Sequence, residues 1–317
     1  MRYRRLGKWG VKVSEVSLGS WLTYGGATDD TAAIACVEQA WDLGINFFDT
    51  ANVYARGKSE EVVGRALAGY RRDGYVLATK VFFPMGDGPN DRGLSSKHIY
   101  DQCHLSLKRL GTDHIDLYQC HRYDPETPLE ETLLAMDDLI RQGKVIYWGV
   151  SQWTAEQIQA AVDQCRLRGL HLPVSNQPLY NALHRELEKD VLPTCAREGL
   201  GQVVYSPLAQ GLLTGKYRPG SPLPEGSRAA DPSQNMFLNK GQLDEALLAR
   251  IQTLAPIAEV RGISMSQLAL AWCLRKPEIS SVIIGASRPQ QVIDNAGASG
   301  VDLSTDEIAA IDTALAA

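Results

Sequence analysis

Eight times over, the chain alternates between a short apolar run and a longer amphipathic stretch. The apolar runs fall at 16–21, 45–51, 75–81, 115–121, 145–151, 174–177, 202–207 and 281–286. Several are almost continuously hydrophobic, as strands are when both faces are covered. Between them, residues 31–43, 59–68, 97–110, 129–142 and 154–167 carry apolar side chains at helical spacing; in the first, Ile34, Val37, Ala40 and Trp41 share a face. Gly111, Gly143 and Gly169 stand at the ends of three of these stretches, where the chain needs a residue that tolerates a left-handed turn. Thr154 with Gln157 three residues on predicts a capping box. Eight β-α units can close into a barrel or open into a doubly wound sheet. Their number and even spacing favour the α/β class as a (β/α)8 TIM barrel, and no G-x-G-x-x-G follows the first strand. Residues 2–14 predict a β-hairpin that plugs the barrel bottom. The Gly- and Pro-rich connection 208–240, after strand seven, predicts a lid or a disordered segment. Barrels of this kind run to the length of this chain, so residues 1–317 read as one domain.

With 44% hydrophobic and 22% charged residues, the chain can bury a large core without covalent staples. Its net charge of −5 argues against a nucleic-acid partner, which would need a basic surface. The six cysteines are scattered and form no C-x-x-C pair, and they read as small buried hydrophobes in a reducing compartment. A thiol nucleophile at Cys120 beside His121 is disfavoured, because neighbours on a strand face opposite sides. The basic opening MRYRRLGKWG has no apolar run behind it, so no secretory signal is expected. No stretch is long enough to span a bilayer. A cytoplasmic protein with no membrane partner is the expectation.

In such a barrel the active site forms where the strands end at their C-terminal side. Those ends carry Asp49 (FFDTA), Lys80 (ATKV), His121 (QCH), Ser151, Asn176 and Gln177, Tyr205 and Ser206, and Gly285 and Ser287. Each has an ordinary reading by itself: Asp49 a helix cap, Lys80 a snorkelling cation, His121 a satisfied rim imidazole, Tyr54 loop packing. Their meeting at adjacent strand ends reverses that reading, since converging charges at a mouth are costly without a use. A phenol titrates near ~10, too high for acid–base work at neutral pH. A nearby ammonium favours phenolate, so Lys80 is expected to lower Tyr54, with Asp49 keeping Lys80 charged. An imidazole can donate to a carbonyl oxygen and orient it. The set suits a carbonyl whose oxygen gains a proton as its carbon gains a hydride. No metal-ligand spacing occurs, so no metal is expected. His98, His104, His114, His171 and His184 fall in helices or loops and are expected to have structural roles only.

The segments GINFFDTANVYARGKSEEVVGRAL, ATK, LKRLGTDHIDLYQCHRYD, KVIYWGVSQW, VVYSPLAQGLLTGKY and SVIIGASRPQQVIDN resemble aldo-keto reductases along essentially the whole chain. The last two look most like the branch that includes potassium-channel β subunits and their bacterial relatives. The resemblance implies a catalytic tetrad of Asp49, Tyr54, Lys80 and His121, with Tyr54 the proton donor; channel β subunits carry Asn where this chain has His121. It implies NADP(H) laid across the mouth. Tyr205 would stack on the nicotinamide, near Gly19, Ser20 and Trp21, and Ser151, Gln152 and Gln177 would hold the carboxamide. Ser206, Pro207, Leu208, Gln210 and Gly211 would follow the pyrophosphate, with Lys216 and Arg228 clamping it by charge. Gly285, Ser287, Arg288, Gln291 and Asn295 would sit at the adenosine 2′-phosphate and adenine, near a helix N-terminus. Many reductases have a Lys-Ser pair and a following Arg where this chain has Gly285-Ala286 and Gln291, which leaves Arg288 as the cation there. NADPH ahead of NADH is the expectation. Trp21, Tyr54, Phe82, Phe83 and the long loop would line the pocket of a small carbonyl substrate. By analogy the resemblance implies a homo-oligomer, tetramer or larger. The alternative function is a redox-sensing, cofactor-binding interaction module of the channel β-subunit kind.

Overall fold

The structure is a computed structural model, and it describes every residue except 27, 232–234, 236–237, 239–242 and 317. A two-stranded antiparallel hairpin, β1 (Tyr3–Arg5) and β2 (Lys12–Ser14), opens the chain. Eight parallel strands then close on themselves: β3 (Val16–Gly19), β4 (Phe47–Asp49), β5 (Val76–Val81), β6 (Ile115–Cys120), β7 (Val145–Ser151), β8 (Ser175–Gln177), β9 (Gly201–Val204) and β10 (Ile279–Gly285). β10 pairs with both β3 and β9, so no edge is left open. The (β/α)8 barrel read from the sequence is therefore the fold. The strands end earlier than the apolar runs suggested, at Gly19 rather than 21 and at Val204 rather than 207, because the backbone leaves the ladder for the mouth there.

The helices are α1 (Asp30–Asp42), α2 (Lys58–Leu67), α3 (Ser96–Leu110), α4 (Leu129–Arg141), α5 (Ala155–Arg168), α6 (Val191–Glu198), α7 (Glu245–Gln252), α8 (Ala255–Val260), α9 (Met265–Leu274), α10 (Pro289–Ala296) and α11 (Thr305–Leu315). Their ends follow the local chemistry. Thr154 and Gln157 form the reciprocal capping box, and Gly111 and Gly169 close α3 and α5 in the left-handed conformation. Gly143 lies one residue past the α4 cap with φ 70°.

The side-chain period of two sorts the strands into two cores. Phe48, Leu77, Tyr118, Trp148 and Val282 face outward into the layer between barrel and helices. Phe47, Ala78, Leu117, Val203 and Ile283 face inward with Leu6 and Val13, the plug contributed by the hairpin region. At ~1.5–3 kcal/mol per fully buried large apolar side chain, these layers make the frame stiff. The inward parity continues toward the mouth along three strands: Phe47 to Asp49, Ala78 to Lys80, and Leu117 through Gln119 to His121. Cys120 takes the other parity and is buried in the outer core. All six cysteines are free and buried. Burial pushes the Cys103, Cys165, Cys195 and Cys273 thiols up to about 12.

The connection after β9 is less irregular than its composition suggested. Ala209–Thr214 winds into short helical turns, with Gln210 and Gly211 in the left-handed region, and Arg228–Ala230 makes another. Part of the expected lid, within 232–240, lies outside the described residues. Among the described residues, no helix is long and apolar enough to cross a membrane, and no cluster of His, Cys, Asp and Glu could hold a metal ion.

Candidate active site

Asp49 closes β4 in register with Ala78, and Lys80 sits two residues further along β5, one residue before its end, so the two inward side chains lie on adjacent strands at the mouth. Lys80 is fully buried, and its Nζ donates to Asp49 Oδ1 at 2.5 Å, to the Thr50 carbonyl at 2.7 Å and to the Tyr54 hydroxyl at 3.3 Å. The same Nζ lies 4.9 Å from the centre of the Tyr54 ring. Tyr54 begins a tight turn, Tyr54–Gly57, in which Ala55 and Arg56 take φ of 48° and 52°. Non-glycine residues visit that region at a cost, and strain of this kind collects where geometry is over-determined. Leu22, Ala55, Arg56, Gln152, Ser206, Ala209 and Gln210 share it, and all follow strand ends at the mouth.

His121 follows β6. Its ring packs edge-on against Tyr54 at 5.7 Å and against Phe83 at 4.8 Å between centroids. Its Nδ1 is buried and has no hydrogen-bond partner among the described residues. An orphaned polar atom at a cleft wall is a place for a ligand's polar group. Burial, reinforced by the Lys80 and Arg122 charges, holds the imidazole well below its usual range, so it is neutral at pH 7.

The sequence reading of Tyr54 needs a correction here. Burial and then the Asp49 carboxylate push its phenol well above 10, and Arg122 only pulls it part of the way back. Lys80 in turn is lowered by burial, against the pull of Asp49. The phenol is therefore held protonated at neutral pH.

Behind the tetrad stands a brace that sequence reasoning missed. Asp49 Oδ2 accepts from Gln177 Nε2 at 2.9 Å and from Gln119 Nε2 at 3.3 Å, while Ser151 Oγ donates to the Gln177 carbonyl at 2.8 Å. Gln119 is inward-facing by parity with His121, and that spacing could have identified it. Asn176 takes the outward parity and donates to Gln202 at 3.1 Å.

These residues open into a cleft of about 1450 Å³. It is lined by Gly19, Trp21, Asp49, Tyr54, Phe83, His121, Ser151, Gln177, Tyr205 to Leu208, Gln210, Gly211, Lys216, Arg228, Gly285, Ser287, Arg288, Gln291 and Asn295, all singled out from the sequence. Four expected residues do not line it. Ser20 is buried and accepts from Ser59 Oγ at 2.7 Å, and Phe82 packs edge-on against Phe83 at 5.2 Å. Lys80 lies beneath Asp49 and Tyr54, and Gln152 reaches the cleft only through its amide, which donates to the Tyr205 hydroxyl. His184, read as purely structural, does line it, as do Arg122, Tyr24, Asn181 and Asp294.

The cleft gathers Arg122, Lys216, Arg228 and Arg288 on a chain whose net charge is −5. Its carboxylates among the described residues are Asp49, held by Lys80, and Asp294, which accepts from Ser264 Oγ at 3.2 Å. Arg228 is lowered by burial and donates to Gln210. At the far end, Ser287 N donates to Gln291 Oε1 at 2.8 Å beside the start of α10. A long groove, cationic along one limb and carrying a proton network at the other, fits a phosphorylated nucleotide with a reactive ring. The sequence matches the Aldo/keto reductase family over residues 15–316.

The chain belongs to the aldo/keto reductase family.

Aldo/keto reductases are oxidoreductases, and the curated relatives cover nearly the same length. A protein described as a putative voltage-gated potassium channel subunit beta from Schizosaccharomyces pombe is 45% identical over 316 residues, 96% of this chain and 90% of its own. Proteins described as probable voltage-gated potassium channel subunits beta from Oryza sativa and Arabidopsis thaliana are each 43% identical over 298 residues, 93% of this chain and 90% of theirs. The branch read from the C-terminal segments is thus the one that these relatives represent.

Proposed function

We propose that this aldo/keto reductase reduces aldehydes and reactive ketones to alcohols with NADPH. The observation that carries the reading is Lys80 Nζ set between Asp49 Oδ1 and the Tyr54 hydroxyl, beside a neutral His121 whose Nδ1 has no partner among the described residues, in a nucleotide-sized cleft. When bound, the reduced nicotinamide supplies the hydride.

The protein's residues do the rest. His121 orients the substrate oxygen with a ring N–H, and Tyr54 gives that oxygen its proton. Lys80 then stabilises the phenolate that Tyr54 becomes, and Asp49 keeps Lys80 charged in a site where burial works against it. Tyr205 supports the nicotinamide face. Ser151 and Gln152 hold its carboxamide, with Gln177 contributing its amide oxygen because its Nε2 is given to Asp49. Gly19 lines the cleft beside them, where a Cβ would meet Ile283 Cγ2 of the neighbouring strand at 2.5 Å. Ser206, Pro207, Leu208, Gln210 and Gly211 follow the pyrophosphate, with Lys216 and Arg228 as its counter-charges. Ser287, Arg288, Gln291 and Asn295 receive the adenosine end, and Arg288 selects NADPH over NADH. Trp21 and Phe83 wall the substrate. The expected test result is consumption of NADPH with 4-nitrobenzaldehyde and an equal amount of alcohol formed. Absence of turnover with any simple aldehyde would refute the assignment, and equal dissociation constants for NADPH and NADH would refute the role of Arg288.

A second reading, a nucleotide-binding interaction module that senses redox state, is supported by the descriptions of the relatives as channel subunits. Tight NADPH binding without turnover would favour it.

A further inference from the structure

Arg122 has an unusual position for a guanidinium. It follows His121 directly, is half-buried and lines the cleft. Its Nη1 donates to the His121 carbonyl at 2.5 Å, and its guanidinium carbon sits 5.3 Å from the Phe83 ring centre, the same ring that packs on His121. Neither contact brings a negative charge. The nearest acid in sequence, Asp124, accepts from Leu94 N at 2.7 Å, Thr127 Oγ1 at 2.7 Å and Glu126 N at 3.0 Å. Asp49 is held by Lys80 and two glutamines. Among the described residues, then, no carboxylate neutralises Arg122. It stands against His121 and Phe83, the residues that wall the proposed reacting centre. Its charge is felt at the tetrad, where it lowers both Tyr54 and His121.

A half-desolvated guanidinium with four unused N–H donors and an aromatic rest is a receptor for a planar anion. Resting on the carbonyl-reductase reading above, we propose that Arg122 is a specificity residue that makes this site prefer carbonyl compounds bearing a carboxylate. The carboxylate would pair with the guanidinium over the Phe83 ring while the carbonyl oxygen lies at Tyr54 and His121. A charge-assisted pair of this kind is worth about ten- to a hundredfold in binding.

The test pairs 4-carboxybenzaldehyde with methyl 4-formylbenzoate, which have the same reacting group and differ in one charge. Binding of 4-(hydroxymethyl)benzoate and of its methyl ester is measured alongside by calorimetry on the NADP⁺-loaded protein. The wild-type protein is expected to favour the acid over the ester about ten- to a hundredfold in kcat/KM, chiefly through KM, and similarly in Kd. Arg122→Gln should bring both ratios close to one, and Arg122→Lys should restore part of them. Because acid and ester share the same chemistry, any general effect of the substitution on Tyr54 or His121 cancels in the ratio. Wild-type acid-to-ester ratios close to one, or a preference that survives in Arg122→Gln, would overturn the proposal. Charge-dependent binding without turnover would support Arg122 as the anion receptor while removing the reductase reading.

Discussion

Replacing Asp49 with Asn removes one charge and almost no volume. Lys80 Nζ has three acceptors, Asp49 Oδ1 at 2.5 Å, the Thr50 carbonyl at 2.7 Å and the Tyr54 hydroxyl at 3.3 Å, and only the first carries a compensating charge. Lys80 has no solvent exposure to fall back on. Breaking a buried pair by removing one partner costs about 3–5 kcal/mol. At about 1.5 °C per kcal/mol for a chain of 317 residues, the thermal midpoint should fall by roughly 4–8 °C. The pH dependence gives a second handle. Burial already sets the folded Lys80 below its ordinary 10.5, and without Asp49 it falls further. Between the folded value and 10.5 the unfolded chain binds the extra proton, so stability rises with pH there. In the variant that window opens at lower pH. Guanidinium unfolding at pH 7 and pH 9 should therefore show the variant losing about 3–5 kcal/mol at pH 7 and recovering part of it at pH 9. A loss below about 1 kcal/mol, or the same gap to wild type at both pH values, would show that Asp49 does not neutralise a buried ammonium.

Three further outcomes follow from the same geometry. His121→Phe should lower kcat about 10²–10³-fold, the loss typical of one donor to a developing oxyanion, and a titration should show NADPH affinity retained. With His121 held well below 6.5 and Tyr54 well above 10, carbonyl reduction should show no inflection near pH 6.5 and should decline only as the phenol ionises above pH 10. A pH–rate profile of kcat with a step near neutrality would contradict this. All six cysteines should resist a thiol reagent in the native protein and react after unfolding. A rapidly labelled native thiol would mean that a strand or helix face is open.

The fold was legible because eight apolar runs at even spacing leave few closures, and because Thr154, Gln157, Gly111 and Gly169 mark helix ends by chemistry that is local in sequence. The meeting of Asp49, Lys80 and His121 was legible because the period of two carries all three to the inside from apolar neighbours that fix the register. What the sequence concealed depends on the third dimension. Gln119 braces Asp49 from two strands away in the barrel, with Gln177 beside it; parity with His121 marks Gln119 as inward-facing, but linear spacing does not name its partner. His184 reaches the cleft from a loop. Phe82 and Phe83 are adjacent in sequence, yet only Phe83 lines the cleft. The meeting of Tyr54 and Lys80 at the strand ends argues for a lowered phenol, whereas desolvation, which reverses the direction, can be weighed only once the walls are in place.

The central claim is that Tyr54 supplies the proton in a nicotinamide-linked carbonyl reduction. The most direct test is a single-turnover experiment on protein loaded with one equivalent of NADPH, mixed rapidly with excess aldehyde, in the wild type and in Tyr54→Phe. The account predicts complete nucleotide oxidation in the wild type, and a variant that binds NADPH with nearly the same affinity but leaves it reduced. Oxidation at a comparable rate in Tyr54→Phe would contradict it.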